Sequence, residues 1–303
     1  MSKMIGLALL ACLAIAGCQA MRQDSTDAPA IRQLYVNSTS VTYLEQGHGT
    51  TVVFVHGAFS DHRAWEAQRE TFAKQYRYIA VDLRYHGTSA WPDDGKDYSE
   101  ITHAADVAAL IRGLNVGPVH LVGRSYGTTI VTAVALEHPE FIRSIVLQEP
   151  YESSLIADPE AKKAVRDELR QSFGRIGAAL KDGDAAKATR LFAEWANNTG
   201  PGSFDQESDA YRSMALDNAR TVPMFLVRKQ LPSATCERLA RLKPPVLIIN
   251  GANTRQFFSL NGDAISRCIP GSQRVVIANA THGASGQQPT AFNEAVLSFL
   301  AKN

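Results

Sequence analysis

The sequence predicts an α/β fold with a mostly parallel, doubly wound sheet and an inserted helical cap. Three observations predict it. Short, largely apolar runs recur along the chain and end at residues such as His56-Gly57, Asp82, Gly123 and Gln148-Glu149-Pro150, the mark of strands covered on both faces. Longer stretches of helical periodicity separate these runs, which implies crossover connections. One segment of roughly 90 residues, 151–241, has helical spacing but no strand run. The composition fits a folded globular chain: 303 residues, 45% hydrophobic and 20% charged, with a net charge of +1. A chain of this length buries an ample core without metals or crosslinks. With no basic stripe, nothing points to nucleic acid.

The first element is a leader. Lys3 supplies a positive start and Met4 to Ala16 is an apolar run, short of the ~20 residues that span a bilayer but matching a signal peptide. It closes as Ile15-Ala16-Gly17-Cys18, which resembles a bacterial lipobox. On that resemblance residues 1–17 are removed and Cys18 carries the lipid. The alternative is ordinary cleavage after Ala14-Ile15-Ala16. Residues 18–32 form a polar tether, and Gln19 after the lipidated cysteine favours the outer membrane. The expected location is therefore the cell envelope, facing the periplasm or the exterior.

The expected core comprises residues 33–150 and 242–303. Strands are expected at Thr51–Val55, Tyr78–Val81, Val119–Val122, Ser144–Leu147, Pro245–Ile249 and Arg274–Ile277. Helices are expected at Ile101–Leu114, Thr128–His138 and Pro289–Leu300, and in the cap at Ala164–Leu180, Ala185–Trp195 and Tyr211–Ala219.

The chemistry is concentrated where strands end. Gly123-Arg124-Ser125-Tyr126-Gly127 matches G-x-S-x-G between a strand and a helix, the context in which a sharp turn exposes a serine nucleophile. The same turn aims the Tyr126 N–H at a developing oxyanion. His56-Gly57-Ala58-Phe59 follows an earlier strand, and the Ala58 N–H is the expected second donor. His56 itself reads as structural. Asp82, Arg84 and His86 sit in a turn after a strand, and Phe59 is the expected pocket aromatic; Tyr126, Trp195, Phe257 and Phe258 suit either pocket or core.

The order of strand–His-Gly, Asp82–Ser89, the serine motif and a late Thr281-His282-Gly283 resembles the α/β-hydrolase superfamily, from about Thr51 to the C-terminus. That resemblance implies the α/β-hydrolase fold and makes His282, after the last strand, the general base. Many members carry an Asp after the strand that ends here at Ile249-Asn250, but this chain reads Gly251-Ala-Asn-Thr-Arg255. Asp263 comes too late and is expected on the following helix. Glu149, at the end of the strand after the nucleophile helix, is the alternative acid, a placement resembling haloalkane dehalogenases and zearalenone lactonases. Dehalogenation is disfavoured, because the nucleophile there is Asp and position 125 is Ser.

The expected function is thus a serine hydrolase that cleaves a small carboxylic ester or lactone through an acyl-enzyme on Ser125. It needs no cofactor and no metal. Alternatives on the same triad are a C–C bond hydrolase or a cofactor-free haloperoxidase. A further alternative is a non-catalytic ligand-binding lipoprotein, against which stands the complete set of Ser125, Glu149 and His282. Of the four cysteines, Cys12 leaves with the leader and Cys18 is lipidated. Cys236 and Cys268 remain, either as a disulfide in an oxidising compartment or as two buried thiols.

Overall fold

The computed structural model describes residues 28–91, 95–228, 231 and 234–303; Cys12 and Cys18 lie outside them. Its strands are β1 (Ala30–Val36), β2 (Thr39–Gln46), β3 (Thr51–Val55), β4 (Arg77–Val81), β5 (Val119–Arg124), β6 (Ile142–Gln148), β7 (Val246–Gly251) and β8 (Gln273–Ile277). They form one sheet in the order β1-β2-β4-β3-β5-β6-β7-β8. From β4 to β8 every pairing is parallel, while β1 and β2 join antiparallel.

Successive side chains of a strand point to opposite faces, so an apolar run feeds two cores at once. Val53 and Val55 enter the core under α2 (Glu100–Leu114) and α3 (Tyr126–Glu137), whereas Val52 and Phe54 enter the other, beneath α1 (Glu66–Ala73) and α11 (Pro289–Leu300). All four are fully buried. Between β6 and β7 the chain forms α4 (Pro159–Lys181), α5 (Ala185–Ala196), α6 (Asp209–Asp217), α7 (Thr221–Val227) and α8 (Cys236–Leu239). Phe192, Trp195 and Phe225 of this insertion join the core of the α2–α3 face. After β7 comes α9 (Gln256–Cys268), and after β8 the short α10 (Ala284–Gln287). None of the helices among the described residues is long and apolar enough to cross a membrane.

Two sequence expectations need correction. The tether cannot extend to residue 32, because Ala30, Ile31 and Arg32 belong to β1. The β1–β2 hairpin has no counterpart among the expected strands. It lies at the sheet edge, where burial is partial and β2 alternates Thr39, Val41 and Tyr43 inward with exposed residues between. Its turn, Asn37-Ser38, has positive φ at both residues, 46° and 60°, the geometry of a two-residue hairpin turn without the glycine that usually signals it.

Strand order positions the site. The chain runs from β3 to β4 on one side, then crosses back to β5 on the other. The loops after β3 and β5 therefore diverge and leave a crevice at the carboxyl ends of the strands. The ends of β6, β7 and β8 follow in sequence along the same edge.

Candidate active site

At the end of β5 the backbone turns sharply into α3. Ser125 sits in that turn with φ 50° and ψ −117°, outside the regions where a side chain is comfortable. The turn closes only because its neighbours are glycines. A Cβ on Gly123 would lie 2.6 Å from the Gly127 carbonyl oxygen, and one on Gly127 would lie 2.4 Å from that of Val55. Most other non-glycine residues with positive φ are asparagines in turns, whereas Phe59, Ser125 and Glu149, at 54°, 50° and 56°, all belong to the site. Backbone strain of about 1–3 kcal/mol per residue gathers where function demands a geometry.

The two expected oxyanion donors are available. As the first residue of α3, Tyr126 has no helical acceptor for its N–H, and among the described residues neither that group nor the Ala58 N–H makes a backbone hydrogen bond. A network around His56 orients the second. The Leu83 N–H donates to His56 Nε2 at 3.1 Å, which leaves the proton on Nδ1 to donate to the Gly57 carbonyl at 2.7 Å. Ser60 Oγ donates to the same carbonyl at 3.0 Å. The peptide unit is planar and trans, so fixing the Gly57 C=O on one side turns the Ala58 N–H to the opposite side. Burial lowers the pKa of His56, keeping the ring neutral in this role. His86 Nδ1 lies 2.8 Å from the Ser60 carbonyl, and Asp82 Oδ1 accepts from the His62 N–H at 2.8 Å. Asp82 and His86 thus hold this loop, whereas Arg84 pairs with Asp106.

His282 follows β8, buried, with its ring stacked on Phe258 at a 4.1 Å centroid distance. Its Nδ1 faces Glu149 Oε2 at 3.6 Å and makes no hydrogen bond among the described residues. Glu149, fully buried, is held by the Gly251 N–H at 2.7 Å on Oε1 and by Thr254 Oγ1 at 2.6 Å on Oε2. The carboxylate of the β6 end is thus fastened to the end of β7, the position from which the absent Asp would have come. Burial lowers the pKa of His282, opposed by the adjacent Glu149 carboxylate and reinforced by the charge of Arg124. Asp263 is on α9, engaged by Arg274. Gly251, Thr254 and Arg124 have no place among the residues expected from sequence; their roles depend on partners far along the chain.

Ser125 lies between two hollows. On one side is a cavity of about 620 Å³, walled by Leu147, Phe192, Trp195, Phe225, Phe257 and Phe258, with a buried Arg228–Glu100 pair at 3.0 Å also in its lining. On the other is a cleft of about 30 Å³ bounded by Gly57, Ala58, Phe59, Arg124 and His282. Phe59 therefore faces the small cleft, wedged edge-on against Phe192 at 4.5 Å. The phenol of Tyr126 is bound 2.8 Å from His103 Nδ1, inside the core. Cys236 and Cys268 form a disulfide that ties α8 to the end of α9.

A family model described as the alpha/beta hydrolase fold matches residues 50–289. The chain is 25% identical over 272 residues to the 2-(acetamidomethylene)succinate hydrolase of Mesorhizobium japonicum, covering 89% of this chain and 94% of that protein. It is 30% identical over 188 residues to the (E)-2-((N-methylformamido)methylene)succinate hydrolase of Acinetobacter baylyi, covering 59% and 68%. Among solved structures, a thermophilic esterase from Thermogutta terrifontis superposes with a TM-score of 0.70 at 24% identity, covering 90% of this chain and 98% of that one.

Proposed function

The chain belongs to the alpha/beta hydrolase fold family and is a hydrolase, and from that premise we propose that it is a serine hydrolase cleaving a carboxylic ester or lactone of a small molecule. The observation that carries this reading is the convergence on one crevice of a strained Ser125, buried His282 and Glu149, and two unbonded N–H groups.

In this mechanism Ser125 Oγ attacks the acyl carbon and passes its proton to His282 Nε2. Glu149 stabilises the imidazolium through Nδ1, an interaction that starts at 3.6 Å and tightens as the ring gains charge; such contacts are commonly long before substrate binds. The N–H groups of Ala58 and Tyr126 receive the oxyanion. His282 then protonates the leaving group, and water attacks the acyl-enzyme by the same route.

Labelling with a fluorophosphonate, beside pH-stat assays of short esters, tests the proposal. Wild type should label, Ser125→Ala should not, and Glu149→Ala should label slowly. Absence of both labelling and turnover in wild type would remove the hydrolase mechanism.

We further propose that the enzyme is exported and lipid-anchored at Cys18. The apolar run from Met4, the lipobox-like Ile15–Cys18 and a disulfide suited to an oxidising compartment support this. Labelled palmitate should enter the wild-type chain and not Cys18→Ser; equal incorporation into both would refute the anchor.

A further inference from the structure

Arg124 directly precedes Ser125 and lines the small cleft with Ala58, Tyr211 and His282. Among the described residues its guanidinium has no side-chain hydrogen bond, ion pair or aromatic face. Its neighbours in the core and cap are different. Arg63 pairs with Asp61 at 2.6 Å, Arg84 with Asp106 at 2.9 Å, Arg228 with Glu100 at 3.0 Å and Arg255 with Glu168 at 2.5 Å. Glu149, Glu207 and Tyr211 act on Arg124 only through space. Glu149 is moreover committed, through Gly251, Thr254 and His282. A guanidinium carries five donors and no acceptor; that of Arg124 is partly exposed where it lines the cleft, and its donors are open to a ligand there. The partner it lacks is an anion.

We propose that Arg124 is a specificity residue that holds a carboxylate carried by the substrate, beside the acyl group under attack. The inference rests on the hydrolase reading of Ser125 and deepens it. The cleft is small, at about 30 Å³, and admits a compact polar group rather than a chain. Guanidinium and carboxylate match as a fork, with two parallel charge-assisted bonds. The large cavity on the other side, with Leu147, Phe192 and Phe225 in its wall, takes the apolar remainder. The preferred substrate is thus an amphiphilic ester or lactone, acidic near the scissile bond and apolar away from it.

Two ester pairs test this, each a carboxylate against its carboxamide: monomethyl glutarate with methyl glutaramate for the acyl side, and O-butyrylglycolate with O-butyrylglycolamide for the alcohol side. The readout is the ratio of kcat/KM within a pair, in which any general effect of Arg124 on His282 or the oxyanion cancels. Wild type should favour the carboxylate in one pair by on the order of ten- to a hundredfold, the worth of hydrogen bonds to a charged group. The ratio should fall to about one in Arg124→Gln and recover in part in Arg124→Lys. A ratio near one in both pairs for wild type, or one that Arg124→Gln leaves unchanged, would overturn the proposal.

Calorimetric titration of Ser125→Ala with monomethyl glutarate and O-butyrylglycolate separates the subsite from the chemistry. Binding lost on adding Arg124→Gln, in an enzyme that neither labels nor turns over, would keep the subsite and discard the hydrolase reading. Labelling and turnover of the carboxamides with no carboxylate preference would do the reverse.

Discussion

Both carboxylate oxygens of Glu149 are occupied before any substrate arrives, one by the Gly251 N–H and one by Thr254. Such a group can orient the imidazole and stabilise its charge without itself taking the proton. Two outcomes follow for Glu149→Gln. The rate constant kcat should fall by about 10⁴, the loss found when a triad acid is neutralised. The acid limb of kcat/KM, already below the usual imidazole range because burial disfavours charged His282, should move lower still, because Glu149 is the group that raises it. A pH–rate profile of the residual activity checks the sign; a limb that moves upward would remove Glu149 from contact with His282. His56 acts at one remove, by holding the Gly57 carbonyl. His56→Phe should lower kcat and labelling rate about 10²-fold, approaching loss of one oxyanion donor, with little change in KM. His56→Asn, which retains a donor, should recover part of that loss. Ser125 is legible in sequence because its signal is five contiguous residues. Glu149 could be found only through the missing Asp after β7. Arg124 was invisible as a functional residue, since its distinguishing property is the lack of a partner, and partners come from other elements.

Among the strands, those buried on both faces were legible, as was edge strand β8 through its Val275-Val276-Ile277 run, whereas the β1–β2 hairpin was not. Strands β3 and β7 have apolar runs, and that of β5 is broken only by the buried His120, because helices cover both sides of them. Edge strand β1 leaves Ile31 and Tyr35 exposed and so has no such run. The cap helices were readable from their spacing, but their attachment was not: Asn218 Nδ2 donates to Asp61 at 2.8 Å across 157 residues, and Arg63 reaches Asp217 at 2.9 Å. The disulfide is the covalent counterpart of these links, joining α8, where the insertion returns to the core, to α9 across a sequence separation of 32. A loop of that length corresponds to about 3–4 kcal/mol of chain entropy removed from the unfolded state. Cys236→Ser should therefore lower the urea midpoint, and dithiothreitol should do the same to wild type while leaving Cys236→Ser unaffected. Equal midpoints for oxidised and reduced wild type would show that the crosslink adds no stability.

At the scale of the whole molecule, buried histidines couple stability to pH. Burial lowers the pKa of His56, His86 and His282, that of His103 to about 3 and that of His120 to about 4. In the unfolded chain each would titrate near 6.5. Below that value the unfolded state binds protons that the folded state refuses, so stability rises with pH up to the unfolded pKa and is lost as pH falls through it. Each group contributes about 1.4 kcal/mol per pH unit while it remains neutral in the fold and charged outside it. His62 acts in the opposite sense, because hydrogen bonding and charge from Asp82 outweigh burial and raise its pKa; its contribution is present in acid and fades as pH rises through that raised value. His103 and His120, neutral in the fold at pH 5, should together take up about two protons on unfolding there, a stability slope of roughly 3 kcal/mol per pH unit from these two groups. His120 lies near the start of β5, at the opposite end of the strand from Ser125, and contacts Ser144 at 2.7 Å, so His120→Gln removes one titrating group outside the triad. Urea denaturation between pH 5 and 8 should show that variant with a shallower acid slope by about one proton. An unchanged slope would mean that His120 binds its proton equally well in the folded and unfolded chain, and that its burial does not control its charge.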